Sequence, residues 1–447
     1  MQNKIEPKTL PGFMELLPSK QIAFNKIVDK IRTIYERYGF LPLDTPIIEH
    51  AEVLLAKAGG ETEKQIYRFE KGENDLALRF DLTVPLAKYV SMNHNELSFP
   101  FRRYQIGKVY RGEKPQKGRF REFYQCDIDI IGDEELNILH DAEMPSIIYS
   151  IFKELNFGEF TVHINNRKIL SGFFEELGLT DKSQDILRTI DKIAKIGNEA
   201  VIEELEKLGI NKEKIEKIMQ FILIEGKNEE KIEKLTEFGI ENEIFKKGIQ
   251  ELKQVIEGIN LFEVPEKYIE IDLSIARGLD YYTGTVYETT LNEYPSLGSI
   301  CSGGRYENLA EYYTQKKLPG VGISIGLTRL FYKLDEMNFI EQNSRTTSDV
   351  LLITADEKAE GLFKIATELR NAGINTEIYM NNKKLKAKFK YADRLQIPYV
   401  IVIGEEEIKT NTLTLKNMQT GEQLNINIEE AKEIILKNKN NQKKGFM

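Results

Sequence analysis

The chain has 447 residues, is 41% hydrophobic and 30% charged, and carries a net charge of −9. At about 150 residues per domain it has length for roughly two to four domains, and it has no apolar run near the ~20 residues of a membrane-spanning helix. The acidic balance argues against a general polyanion binder, because such binding rests on phosphate neutralisation. Two basic islands stand out against it: residues 101–121 carry eight Lys/Arg and one acid, and residues 381–394 carry six and one.

The N-terminus, MQNKIEPKTLPGFMELLP, lacks the basic-then-apolar layout of a signal peptide, so a cytoplasmic location is expected. Residues 1–170 and 260–335 mix short β-rich runs with helices. Within them LRFDLTVPLAKY, residues 78–89, reads as an extended segment with Asp81 and Thr83 on one side. An Asp among apolar residues is costly unless it finds partners, and a structural cap is one way to find them. Residues 101–131 read as a hairpin around GEKPQKGR. Side chains alternate along a strand, so Tyr124, Cys126, Ile128 and Ile130 face a core. Arg121, Phe123, Gln125, Asp127 and Asp129 face the other way, with Arg103, Gln105, Gly107, Val109 and Arg111 beside them. That face is either an ordinary solvated charged face or the floor of a site. As a site, Arg111 with Arg119 or Arg121 suits phosphate, and Gln125, Asp127 and Asp129 suit an amine or a protonated ring.

Residues 146–264 contain no proline, and from Asp181 Lys, Glu, Ile and Leu recur at helical spacing. This reads as a helical insertion, residues 171–259, in the middle of a mixed domain, a solvated bundle without chemistry. Then come IARGLDYYTGTVYE with Arg277, Tyr281 and Tyr282, a Gly-Gly turn in SICSGGRYENL before Tyr306, and GVGISIGLTRL, a strand entering a helix with Arg329 in its first turns. There is no P-loop and no dinucleotide fingerprint. After a linker, 336–347, residues 348–447 run β-α-β-α-β, which implies an α/β domain with a largely parallel sheet and a frayed KNKNNQKKGFM tail. Cys126 and Cys301 form no CxxC and read as reduced core thiols, and the four histidines show no zinc spacing.

Taken in order, these peptides resemble class II aminoacyl-tRNA synthetases. YGFLPLDTPIIE is similar to motif 1, VYRGEKPQKGRFREF to motif 2 and GVGISIGLTRL to motif 3. ARGLDYY and SICSGGRYENL resemble the two signature peptides of the histidyl-tRNA synthetase family, and the resemblance runs from about residue 8 to about residue 430. It implies an α+β catalytic domain, an antiparallel sheet flanked by helices, with the helical insertion and a C-terminal α/β anticodon-binding domain. It implies histidine activation by ATP with Mg²⁺, charging of tRNA-His and a homodimer with motif 1 at its interface. Carried over by position, Arg111 and Arg277 would be catalytic and would contact ATP, with Glu113 near adenine and Arg329 on the ATP tail. Asp81, Thr83 and Gln125 would hold the α-amino group, Asp129 and Tyr282 would read the imidazole, and Tyr281 and Tyr306 would line the pocket. Gln116 would approach the tRNA acceptor end. The basic helix with Lys383, Lys384, Lys386, Lys388 and Arg394 is the candidate for the rest of the tRNA contact, a solvated face being the alternative. No metal ligands can be named.

Two departures matter. RFDLT has Asp81 where many bacterial members have Glu, and LPGFMELLP differs from the usual Arg-Gly-x-x-Asp form. Two other functions compete. One is a catalytically inactive paralogue, the regulatory subunit of ATP phosphoribosyltransferase; such subunits lack the anticodon domain and the catalytic arginine, whereas this chain has Arg277 and about 100 residues after the linker. The other is an RNA-binding sensor on the same fold, against which both motif arginines argue.

Overall fold

The period-two pattern of residues 101–131 builds the centre of an eight-stranded sheet. The computed structural model describes residues 5–56, 60–114, 118–275, 281–340, 345–354 and 360–444. The chain divides into two units, Met1–Met14 with Val28–Phe339, and Glu15–Ile27 with Ile340–Met447.

In the first unit the strands are β1 (Leu41–Pro42), β2 (Phe101–Tyr110), β3 (Glu122–Ile131), β4 (Phe160–Asn166), β5 (Ile269–Ile271), β6 (Tyr282–Leu291), β7 (Cys301–Tyr306) and β8 (Gly320–Gly326), in the spatial order β1-β2-β3-β8-β7-β6-β4-β5. Neighbours are antiparallel except at the two edges, where β1 joins β2 and β5 joins β4 in parallel. A separate three-stranded sheet, Ile48–His50, Arg68–Lys71 and Asn74–Leu78, precedes helix α1 (Thr83–Asn93). Residues 78–89 are therefore not one extended segment. The chain leaves its strand at Leu78 and is helical from Thr83, because the Asp81 carboxylate accepts from the backbone N–H of Thr83 (3.1 Å) and Val84 (2.9 Å).

The apolar back of the main sheet carries α2 (Leu139–Leu155), α3 (Arg167–Glu176) and α4 (Glu243–Leu261), and α5 (Leu327–Glu336) follows β8 directly. Cys126, Ile128 and Ile130 are buried there, as alternation predicts. The described residues from 172 to 261 hold only helices and turns, the last and longest helix being α4. Close backbone approach joins α4 to α3: a Cβ on Gly248 would stand 2.7 Å from the Ile169 nitrogen. Behind β7, Arg305 donates to both Asp141 oxygens, and Oδ2 also accepts from Thr285 (2.6 Å). This fully buried group pins the sheet to α2.

In the second unit five strands lie in the order Thr376–Ile378, Val350–Thr354, Tyr399–Ile403, Leu413–Asn417, Gln423–Ile426. The first three are parallel and the last two add antiparallel. The sheet is mixed rather than largely parallel, because a hairpin follows the third strand. Val350, Leu352, Ile401, Leu362 and Ile435 meet in its core. Residues 428–444 form a helix, so the tail expected to fray is ordered through Lys444. Among the described residues no helix is long and apolar enough to cross a membrane.

Candidate active site

Register brings the polar face together. Across β2 and β3, Arg103 pairs with Asp129, Gln105 with Asp127, and Gly107 with Gln125. Across β3 and β8, Asp129 pairs with Gly322, Asp127 with Ser324 and Gln125 with Gly326. The face is not solvated: Arg103 is 0%, Asp127 2%, Asp129 3% and Gln125 9% exposed. Buried charges need partners, and the partners explain the arrangement.

Asp129 accepts from Arg103 Nη2 (2.6 Å) at one oxygen and from the Tyr306 hydroxyl (3.0 Å) at the other. Gln125 Nε2 donates to Ser324 Oγ (2.7 Å). Gln125 Oε1, Asp127 Oδ1 and two of the Arg103 nitrogens, Nε and Nη1, find no hydrogen-bond partner among the described residues. The glycines of the later peptides make the room. A Cβ on Gly322 would lie 2.2 Å from Asp129 Oδ1, and one on Gly304 would lie 2.9 Å from the Tyr282 ring. Gly303 and Gly304 belong to β7 and form no turn. Gly304 makes room for Tyr282 and Gly303 for the close approach of β8 at Gly322 and Ile323, which a sequence pattern does not distinguish from a turn.

Tyr281 stands edge-on to Tyr282 (centroids 5.0 Å apart) and to Tyr306 (5.9 Å). Burial raises all three phenols, so they stay protonated donors. Burial likewise raises Asp81, against the pull of its two backbone donors and Arg111. Asp127 is pushed up to about 7, by burial first; Arg103 and Ser324 oppose the shift, and Asp129 and Asp81 add to it. Asp129 is pushed up to about 6 by burial against Arg103 and Tyr306. Two carboxylates on one dry face next to one arginine leave the face short of positive charge.

A cationic group adjoins it. The Arg111 guanidinium lies 4.4 Å from the Phe80 ring centroid and 5.1 Å from that of Phe123, and its Nε donates to Phe80 O (3.3 Å). Arg329, the third residue of α5, is held by the carbonyls of Ser299 and Leu297. Burial and then the neighbouring Arg119 lower its pKa, so two guanidiniums confront each other. Glu113 acts electrostatically on both Arg111 and Arg329. Arg121 is occupied otherwise: its Nε donates to Glu113 O (2.9 Å) and its backbone N–H to Gly12 O (2.7 Å). The Leu10–Phe13 peptide thus rests on the base of the hairpin loop; of the two alternatives for a phosphate ligand, Arg119 is the more exposed, and its Nη1 pairs with Glu113 Oε2 at 3.4 Å.

Gln116 and Arg277 lie outside the described residues. On the Leu385–Leu395 helix of the second unit Lys386 and Arg394 are exposed, as are Lys383 and Lys384 just before it. Lys388 is not: it is 4% exposed and donates to Thr354 O (2.9 Å), which turns its charge inward, away from any nucleic acid. Sequence reasoning placed Arg103 on the polar face without a role and gave Asp127 only the general one of an acceptor for an amine or a protonated ring. Their register opposite Asp129 and Gln105 was the available signal.

Residues 12–330 match the histidyl-tRNA synthetase family model and residues 349–438 the anticodon binding domain model. A histidine–tRNA ligase of Clostridium tetani is 60% identical over 432 residues, 96% of this chain and 98% of that relative. The crystal structure of histidyl-tRNA synthetase from Nostoc sp. PCC 7120 superposes with a TM-score of 0.89 at 42% identity, covering 97% of this chain and all of that one. An ATP phosphoribosyltransferase regulatory subunit/histidyl-tRNA synthetase from Bacillus halodurans C shares the fold, at 19% identity and a TM-score of 0.74 over 90% of this chain and 99% of that one. The chain belongs to the histidyl-tRNA synthetase family.

Proposed function

We propose that this chain activates histidine with ATP to histidyl-adenylate and transfers the histidyl group to tRNA-His. The observation that carries the reading is the buried acceptor face, with Gln125 Oε1 and Asp127 Oδ1 unpaired, set beside the Arg111 guanidinium. Histidine brings the missing donors, an ammonium and a ring N–H. In this reading Asp81, Thr83 and Gln125 take the α-amino group, Asp129 and Tyr282 take the imidazole, and Tyr281 and Tyr306 wall the pocket. A ligand lacking one ring nitrogen would leave buried groups unpaired, which is the strongest basis for rejecting an analogue.

The histidine carboxylate then attacks the α-phosphate in line and pyrophosphate leaves, so no protein nucleophile is needed. Arg111 and Arg277 would stabilise the charge that builds on the phosphoryl oxygens, an effect of about 3–4 kcal/mol per preorganised group. Arg329 would hold the ATP tail and Glu113 would lie near the adenine. Mg²⁺ would accompany the phosphates and offset their charge; it takes hard oxygen ligands, and Glu288, a carboxylate acting on Arg329, would be a candidate for one of them. Gln116, Lys383, Lys384, Lys386 and Arg394 would meet tRNA. Residues 1–170 and 260–335 would form the catalytic domain, 171–259 the insertion, 336–347 the linker and 348–447 the anticodon-binding domain. The reaction would run in the cytoplasm on a homodimer. The exposed apolar Leu41, Ile47 and Ile48 of the motif 1 peptide support that interface.

Pyrophosphate exchange into ATP, run with each of the twenty amino acids, tests the reading. Exchange with histidine alone is expected. Histidine binding without exchange would favour the regulatory-subunit role instead.

A further inference from the structure

We propose that the N-terminal turn Leu10–Phe13 positions the ATP-binding end of the β2–β3 hairpin, with Gly12 as the positioning residue and Arg121 as the group it acts through. This role rests on the reading of Arg111 and Glu113 as ATP contacts. It assigns a task to LPGFMELLP, the peptide that departs from the family form. The turn follows from its residues: Pro-Gly at the centre suits a type II turn, whose third residue needs a positive φ. Gly12 has a φ of +86°, and the Phe13 N–H closes the turn on Leu10 O (3.0 Å).

The turn docks where the hairpin ends. In an antiparallel ladder the two residues of a hydrogen-bonded pair exchange both N–H···O bonds. At Arg111 and Arg121 one of the two is redirected. The Arg111 N–H donates to Arg121 O (2.9 Å), whereas the Arg121 N–H donates to Gly12 O (2.7 Å), which also accepts from the Glu122 N–H (3.4 Å). The Gly12 carbonyl thus stands in for the Arg111 carbonyl, and the hairpin opens at this pair. Arg121 carries the effect onward: its Nε donates to Glu113 O (2.9 Å). Glu113 acts electrostatically on both Arg111 and Arg329. On the other side the Gly112 N–H donates to Gln65 O (2.6 Å). The run Arg111–Glu113 is therefore set by two peptides from outside the hairpin. Neither contact has room for a side chain: a Cβ on Gly12 would stand 2.9 Å from Arg121 Cγ, and one on Gly112 would stand 2.9 Å from Gln65 O.

A positive φ is unfavourable for any residue with a Cβ, and at position 12 that Cβ would also press on the Arg121 stem. Gly12→Ala should therefore release the Arg121 N–H and, through the side chain, the Glu113 carbonyl. A displacement of about 1 Å in a group that stabilises a transition state costs on the order of 100-fold in rate. In pyrophosphate exchange by the full chain, the expected loss in kcat/KM for ATP is about 100-fold, shared between kcat and KM. The KM for histidine should stay within about twofold of wild type, because Asp81 and Asp129 are held by other partners. Amide exchange in the peptide 118–124 should quicken. Arg121→Met removes the Nε donor and leaves the turn as it is; it should show the same split between the two KM values. Combined with Gly12→Ala, its loss should not multiply, because both act through one group. Arg121→Lys keeps the charge without the Nε bond and should resemble Arg121→Met.

A Gly12→Ala protein with wild-type kcat and KM for ATP overturns the positioning role and leaves the reaction assignment intact. Equal rises in both KM values also overturn it, because they mark a general loss of structure. So do losses that multiply in the double variant. An Arg121→Lys protein with wild-type KM for ATP makes the charge of Arg121, not its Nε bond, the operative feature and has the same consequence. Wild-type protein without histidine-dependent exchange overturns the reading of the site and this role with it. Should Gly12→Ala lose its thermal unfolding transition, Arg121→Met and Arg121→Lys decide by the same comparison of the two KM values.

Discussion

The charge balance of four buried side chains governs what the site can bind. Arg103 is the one arginine shared by Asp127 and Asp129, and both acids are raised above their ordinary value of 3.8. A raised folded-state pKa means the native protein holds these protons more tightly than the unfolded chain does. The stabilising contribution is then present below about pH 4 and is lost as pH rises through about 6 to 7. Asn at 127 removes that loss. Asp127→Asn should raise the Tm of the ligand-free protein by a few degrees at pH 8 and leave it unchanged near pH 4, as read by calorimetry. The same ionisation serves binding, because an ammonium is attracted only to a carboxylate that has lost its proton. Histidine affinity, measured by titration calorimetry, should fall as pH drops below about 7, and Asp127→Asn should flatten that profile. Gly322 is the second lever at this scale. Its added methyl group would overlap a carboxylate fixed by Arg103 and Tyr306, and overpacking of this kind costs about 1–3 kcal/mol. Gly322→Ala should raise the KM for histidine about tenfold or more, whereas an unchanged KM would show that Asp129 is free to move aside.

Elements act here as rulers. The β2–β3 hairpin sets Arg111 and Glu113 at one end and Arg103 and Asp129 at the other, and β8 feeds straight into α5 so that Arg329 emerges beside the hairpin loop. Most of this was legible from alternation: the faces of residues 101–131, the strand-to-helix reading of 320–330 and the helical insertion all followed from periods of two and 3.6. The segment around Asp81 was not, because a carboxylate that caps a helix and one that faces a ligand look alike in a sequence. Lys388 was misread for a related reason. Lys386, Lys388 and Lys390 recur at every second position of its helix, and only packing against Thr354 turns one of them inward. Replacing Lys383, Lys384, Lys386 and Lys390 by Gln should weaken tRNA binding and reduce the slope of log affinity against log salt by about 0.7–0.9 for each phosphate no longer neutralised. Replacing Lys388 should instead lower the Tm with little change in that slope. Filter binding at several salt concentrations, with a thermal melt, separates the two.

For the whole molecule the open edge of the main sheet is the feature with most consequence. Strand β1 is two residues long and lies at the edge beside β2, with Leu41 59% exposed, and Ile48, on an edge strand of the three-stranded sheet, is 48% exposed. Exposed apolar residues on a sheet edge invite pairing with another chain. In the proposed homodimer this edge is covered, and sedimentation should give twice the 51.6 kDa chain mass. Ile48→Glu should shift the protein toward the monomer and lower exchange activity together. A fully active monomer would dissociate catalysis from assembly.

The order of the motifs, the alternation of the hairpin and the acidic composition were properties of the sequence by itself, and they sufficed to name the family and the ligand chemistry. Tertiary structure alone decided which polar residues share one dry face. Register across β2, β3 and β8 joins Arg103, Asp127, Asp129 and Ser324, and the return of residues 273–275 beside β4 gives Asn165 its partners. Those contacts join residues up to about two hundred positions apart, such as Tyr306 with Asp129. Periodicity is a local property and carries no information about which distant strand lies alongside, so the pairing had to come from the fold.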